Sequence, residues 1–217
     1  MERQRFMRVY DPPAIIKKVL PAYKWNTFNG QMLLTFDDGP NPGTTQLILK
    51  ELNDMKVKAL FFCVGNNINR YGSLFPEILS EGHIAGNHTY NHRKLSFLEE
   101  ASVSDELERT NLAAMDKFGY RLRYFRPPFG KFDLKTAGIA KRKGLTPVLW
   151  SLLTYDFRND FQIVKQSIDK SLRKNSIIVF HDSNKSASIL IDSLKYLRDY
   201  SAAQGLRFGV PDECLSK

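Results

Sequence analysis

Short apolar runs alternate with longer amphipathic segments through most of this chain, and that alternation restricts the fold more than any other feature. Runs at 32–36, 59–64, 83–86, 124–126, 146–151 and 177–180 have the length and the apolar content of buried strands. Between them, 44–55, 74–81, 99–118, 134–143, 161–174 and 188–204 carry helix-length patterns, the last closed by Gly205. A short final strand is expected at 206–210. Strand, helix and strand in repetition require crossover connections, and therefore a mainly parallel sheet with helices packed on it. Six or seven such units in 217 residues make one α/β domain, either a small barrel or an open doubly wound sheet. Residues 1–30 read as a basic arm, broken by Pro12, Pro13 and Pro21 and ending at Asn29-Gly30. The arm is expected to pack on the domain formed by 31–217.

Both architectures place ligands beyond the carboxyl ends of the strands, and the chemically capable residues collect there. Asp37 and Asp38 follow the first strand, His88 the third, and Arg126 ends the fourth, while Asp156 comes after the fifth strand and His181 after the sixth. Successive strand residues point to opposite faces, so Asp37 and Asp38 share a site only where the chain is already turning. Gly39-Pro40-Asn41-Pro42-Gly43 supplies that turn. His88-Thr89-Tyr90-Asn91-His92 spaces two imidazoles four residues apart, which on a helical turn puts both rings on one face. Two imidazoles and one carboxylate make a metal site with open positions, leaving the second carboxylate as a base. Taken singly, each motif also has a plain structural reading, an Asp-Asp-Gly turn or a pair of solvated histidines. Arg126-Pro127-Pro128-Phe129-Gly130 reads as a stiff turn, with a cis proline, bearing a surface Arg. It reads equally as a cation that orients Asp37 beside a loop N–H donating into the site. His83 lies inside a strand and is assigned a structural role.

In combination these motifs resemble the polysaccharide deacetylase family, carbohydrate esterase family 4. Thr35-Phe36-Asp37-Asp38-Gly39-Pro40, the His88 to His92 motif, the Arg126 to Gly130 motif, Asp156-Phe157 and Val179-Phe180-His181-Asp182 fall in family order. The resemblance implies an irregular (β/α)7 barrel and a metal-dependent hydrolase that removes N-acetyl or O-acetyl groups from a sugar or polysaccharide. It implies Asp38, His88 and His92 as ligands of one divalent ion, Zn(II) first, with Co(II), Ni(II) or Fe(II) as alternatives. Asp37 would be the general base, held by Arg126, and His181 the general acid, oriented by Asp156. Phe129 through its backbone N–H, with Phe157 and Val179, would contact the substrate. Thr89 resembles the hydroxyl that braces the histidine loop. Leu153 stands where the family commonly has Asp and Phe157 where it has Trp, which predicts altered specificity, whereas Phe129 in place of the usual Tyr should matter little for catalysis because its contribution is a backbone N–H. The alternative is a non-catalytic glycan-binding protein on the same scaffold, which would tolerate loss of Asp37 and His181. A non-haem iron enzyme could use the same three ligands but leaves the adjacent Asp, the Arg126 turn and His181 without roles.

Lys and Arg exceed Asp and Glu by 32 to 23, a formal +9 spread along the chain. That balance suits an anionic partner or a plain solvated surface, and with no recognisable module behind it no nucleic-acid partner is expected. Cys63 and Cys214 are too few and too distant for a disulfide framework. Ala14-Ile15-Ile16 is too short for a secretory core, and no run approaches the ~20 apolar residues of a membrane span. The sequence as written therefore predicts a cytoplasmic protein.

Overall fold

The structure is a computed structural model that describes residues 10–216, so residues 1–9 of the expected arm lie outside the described residues. Seven strands form one curled sheet: β1 (Leu33–Asp37), β2 (Leu60–Cys63), β3 (Ile84–Asn87), β4 (Tyr124–Phe125), β5 (Thr146–Pro147), β6 (Leu152–Leu153) and β7 (Ile177–His181). Their order is β5-β4-β3-β2-β1-β7-β6, and every pairing is parallel. The helices are α1 (Ala14–Val19), α2 (Thr45–Met55), α3 (Gly65–Arg70), α4 (Leu74–Ser80), α5 (Glu100–Phe118), α6 (Leu134–Arg142), α7 (Phe161–Ser171), α8 (Leu190–Ala203) and α9 (Pro211–Leu215). This is the expected single α/β domain with an irregular (β/α)7 arrangement. No helix among the described residues is long and apolar enough to cross a membrane.

The period of two along the strands sorts side chains between two layers. Leu34, Phe36, Phe61, Ile178 and Phe180 face outward into the main core, where they meet helix residues such as Ile48, Leu52, Leu194 and Leu197. Leu33, Leu60, Phe62, Tyr124, Val148 and Ile177 form a separate cluster inside the curl. Asp37 belongs to the same alternating column as Leu33 and Thr35, so it points inward just as the apolar filling ends. Local chemistry sets the helix boundaries. The Asp133 and Thr136 side chains form a capping box on α6, Asp160 accepts from the N–H groups of Gln162 and Ile163 at the start of α7, and Gly119 ends α5 in a left-handed conformation.

Several elements differ from the sequence-based expectation. The run at 146–151 is not one strand: β5 and β6 lie at opposite edges of the sheet, with 148–151 crossing between them. Pro147 carries no N–H for a continuing ladder, and the next two carbonyls, of Val148 and Leu149, are taken by the Arg126 guanidinium. Ser151 then donates its N–H to Ile177 O, which starts the new pairing with β7. The segment 206–210 contributes only a bridge, Met32 to Phe208. The helices α1, α3 and α9 were not anticipated, being too short to display a period.

Part of the N-terminal region packs across the open side of the curl. Lys24 pairs with Val148 and Asn26 with Ser176, while Tyr23 and Trp25 are buried with Ala137 and Leu149.

Candidate active site

Beyond the carboxyl ends of the strands lies a cavity of about 300 Å³, lined by Asp37, Asp38, His88, His92, Phe129, Trp150, Leu153, Phe157, Val179 and His181. Arg126 and Asp156, both fully buried, stand behind that wall. The residues singled out from the sequence are therefore brought together, by five separate stretches of chain.

Asp37 ends β1 in register with His181 at the end of β7, which sets the two inward-facing side chains beside each other. Arg126 Nη1 donates to Asp37 Oδ1 at 2.7 Å and to Thr35 Oγ1 at 2.7 Å. Its Nε and Nη2 donate to the carbonyls of Val148 and Leu149 at 3.3 and 2.9 Å, and the guanidinium lies 4.2 Å from the centre of the Phe62 ring. Burial pulls the Arg126 pKa below its ordinary value and Asp37 opposes that shift. A planar cation satisfied on every edge is a rigid support, and of the two readings of the Arg126 turn the structure shows the buried pair. The cis peptide in the site is Gly39–Pro40 rather than a bond in Arg126-Pro127-Pro128.

Asp38 departs from the strand direction with a left-handed φ of 78°. That turn brings its carboxylate into the cavity alongside Asp37 but toward different partners. Asp38 Oδ1 lies 3.0 Å from His92 Nε2 and 3.5 Å from His88 Nε2. Burial opposes ionisation of Asp38, yet hydrogen bonds from His88 and His92 and the charge of His181 hold its carboxyl far below the usual range. The two histidines do not sit on a helical turn. They flank a tight loop in which Thr89 and His92 have φ of 64° and 54°, and this loop folds the rings to a centroid separation of 5.0 Å.

One ligand atom from each of Asp38, His88 and His92 falls within 4.8 Å of the others. His88 Nδ1–H donates to the Arg126 carbonyl at 2.8 Å, which orients the ring and directs Nε2 toward Asp38. Two imidazoles and a carboxylate, one ring oriented by a backbone carbonyl and the set open to a cavity, fit a borderline divalent ion.

On the opposite wall His181 Nδ1–H donates to Asp156 Oδ1 at 2.7 Å, and Asp156 Oδ2 accepts the His181 backbone N–H at 2.8 Å. Burial alone would lower the His181 pKa, but the Asp156 carboxylate, with Asp38 and Asp37 beyond it, raises it to about 9. The ring therefore carries both protons at neutral pH, with Nε2–H available to the cavity. Phe157 packs edge-on to His181 at 5.1 Å and Phe129 to His92 at 4.6 Å, and Val179 closes the floor. His83 stays out of the site: its Nδ1 accepts the Ala59 N–H, and burial lowers its pKa to about 4.

Three further residues shape the site and were assigned no role from sequence. Glu106 on α5 accepts the N–H groups of Tyr90 and Asn91 and the Asn91 amide, and Asn87 Oδ1 accepts the Thr89 N–H, so these two brace the histidine loop. The Thr89 hydroxyl is buried without a hydrogen-bond partner among the described residues. An acid among Val103, Leu107 and Thr110 on the buried face of an amphipathic helix was the available signal for Glu106. Asp182, raised to about 7 by burial, accepts from the hydroxyls of Thr44 and Thr45 and sits where a Cβ on Gly39 would collide with it.

Comparison with known proteins agrees with this geometry. The chain is 34% identical over 157 residues to chitin deacetylase 1 of Saccharomyces cerevisiae, covering 68% of this chain and 50% of that protein. It is 30% identical over 206 residues to the peptidoglycan-N-acetylglucosamine deacetylase PgdA of Listeria monocytogenes, covering 94% of this chain and 42% of the relative. The chain thus spans about half the length or less of these two relatives. The crystal structure of a peptidoglycan N-acetylglucosamine deacetylase in complex with 4-naphthalen-1-yl-N-oxidanyl-benzamide superposes with a TM-score of 0.85 at 26% identity, over 94% of this chain and 96% of that one. The polysaccharide deacetylase family model matches residues 26–148. With its motifs, its fold and these relatives in agreement, the chain belongs to the polysaccharide deacetylase family, carbohydrate esterase family 4.

Proposed function

We propose that this protein is a metal-dependent hydrolase that removes N-acetyl groups from an amino-sugar chain, with O-acetyl esters as a second class of substrate. The observation that carries this reading is the division of labour between adjacent aspartates. Asp37 is bonded to Arg126, whereas Asp38 is turned to the two histidines. Asp38, His88 and His92 would hold the ion, Zn(II) in the first instance. When bound, such an ion supplies Lewis acidity toward the acyl carbonyl and toward water.

The protein's own residues supply the rest. Asp37, held in position by Arg126, accepts the proton of the attacking water. The backbone N–H of Phe129 donates to the oxygen that gains charge as the carbonyl carbon becomes tetrahedral. His181 gives its Nε2 proton to the departing amine, and Asp156 both aims the ring and stabilises its cationic form. Phe157, Val179 and Leu153 line the pocket for the acyl group.

The test is acetate release from N-acetylglucosamine oligomers and acetylated xylan by protein reconstituted with Zn(II), Co(II), Ni(II) or Fe(II). Asp38→Ala should weaken Zn(II) binding by at least roughly 100-fold in titration calorimetry, because it removes the only carboxylate in the cluster. Binding as tight as in the wild type would mean that the ligand set is wrong. Glycan binding with no acetate from any substrate or metal would leave the non-catalytic reading.

The His181 pair gives a pH prediction. Its pKa is raised, so the catalytic proton is present below the shifted value and lost as pH climbs through about 9. The stabilisation from the pair follows the same course, complete below the ordinary histidine value and gone above about 9. Asp156→Asn leaves burial as the main influence and should bring the alkaline limb of kcat to or below about pH 6.5, cutting the rate at pH 7.5 by roughly tenfold or more. A pH–rate profile of the variant with its alkaline limb still near 9 would remove Asp156 from this role.

A further inference from the structure

A second cavity, of about 380 Å³, adjoins the catalytic one and shares Asp38, His92, Phe129 and Lys185 with it, so the two are lobes of one cleft with Lys185 on the wall between them. The second lobe is polar without being charged in the main, with Asn41, Asn66 and Asn91 among its walls. Histidines aside, Lys185 is the one cation lining either lobe among the described residues.

Its surroundings leave that charge uncompensated. Asp37 is bonded to Arg126, Asp156 to His181, Asp38 to the histidine pair, and both oxygens of Asp182 to threonine hydroxyls. Lys185 Nζ has no ion-pair or hydrogen-bond partner among the described residues. The backbone beneath it is nonetheless fixed. Ser186, fully buried, donates to the carbonyls of His181 and Ser183, and the Asn184 amide lies against Gly43. A lysine anchored four residues after the catalytic histidine, and facing a cleft whose acids are all engaged, is placed to meet a charge carried by the substrate.

Building on the deacetylase reading, we infer that Lys185 is a specificity-determining residue that selects amino-sugar chains bearing a carboxylate on the residue in the catalytic lobe or its neighbour. Once a divalent ion is bound, Asp38 and Arg126-paired Asp37 leave no net negative charge for Lys185 to balance, so the cleft mouth presents a positive field to an incoming anionic chain. A neutral chitin-like oligomer fills the same lobes but leaves the ammonium solvated.

The test compares chitin oligomers with the same oligomers O-carboxymethylated, using the Zn(II)-reconstituted full chain for acetate release and titration calorimetry for binding. The ratio of kcat/KM for the carboxymethylated over the neutral substrate should fall about tenfold in Lys185→Ala and reverse in Lys185→Glu. Lys185→Arg should retain most of the preference, and raising salt from low to physiological should erode it in the wild type. Acetate release with a ratio that is the same in wild type and Lys185→Ala overturns the inference and leaves the deacetylase reading standing. A binding preference that depends on Lys185 without acetate release from either substrate overturns the deacetylase reading instead, and binding of neither oligomer overturns both.

Discussion

Asp37→Asn should lower acetate release by roughly 10²–10⁴-fold, the usual contribution of a positioned base, while Zn(II) binding stays close to wild type. The two readouts separate because the adjacent aspartates have different partners. Asparagine keeps the shape of Asp37 and can still accept from Arg126 Nη1, now at 2.7 Å from the carboxylate, but it cannot take a proton from water. Its nearest approach to the histidine pair, 4.0 Å from Asp37 Oδ2 to His88 Nε2, is outside hydrogen-bonding distance, so the amide does not enter the ligand cluster. Full activity in Asp37→Asn would exclude Asp37 as base. Loss of metal together with activity would assign Asp37 to the ligand set.

The largest effect on stability is expected at Arg126. Its guanidinium is wholly enclosed and bonded to Thr35, Asp37, Val148 and Leu149. Arg126→Ala strands the nearly buried Asp37 carboxylate without its countercharge, orphans two carbonyls and empties the space over Phe62. Breaking a buried pair from one side costs roughly 3–5 kcal/mol. In a domain of this size that corresponds to a fall in Tm of roughly 10 °C, measurable by calorimetry or chemical denaturation. Arg126→Lys keeps the charge but has no planar fork to reach four acceptors, so it should fall between wild type and alanine. An Arg126→Ala variant as stable as wild type would show that the pair is not part of what holds the sheet's mouth together.

The sheet and the gathering of Asp37, His88, Arg126, Asp156 and His181 at one end of it could be read from sequence, because both follow from strand order and the period of side-chain direction. What escaped was set by tertiary contacts. The run at 146–151 looks like one strand because each half is apolar, and only the guanidinium of Arg126, distant in sequence, decides where its carbonyls go. The histidine spacing suggested a helical face, yet the chain between the two histidines, with Thr89 and His92 left-handed, is held at Thr89 by Asn87 and at Tyr90 and Asn91 by Glu106, partners that no local pattern around His88 announces. Asp182 was visible beside His181, but its burial against Thr44 and Thr45 depends on the register of β1 with β7. The deacetylase motifs named the cluster; they did not say what supports it.

The crossing segment between β5 and β6 also bears on how this protein meets its neighbours. A sheet ordinarily offers two borders of unpaired backbone, and each invites strand addition by another molecule. Here both borders belong to one stretch of chain, each is two residues long, and one contains Pro147 while Lys24 caps the next residue along. A docking strand would find too few free donors and acceptors in line to extend a ladder. The same crossing that delivers two carbonyls to Arg126 thus leaves, among the described residues, only two short edges that offer little for strand addition.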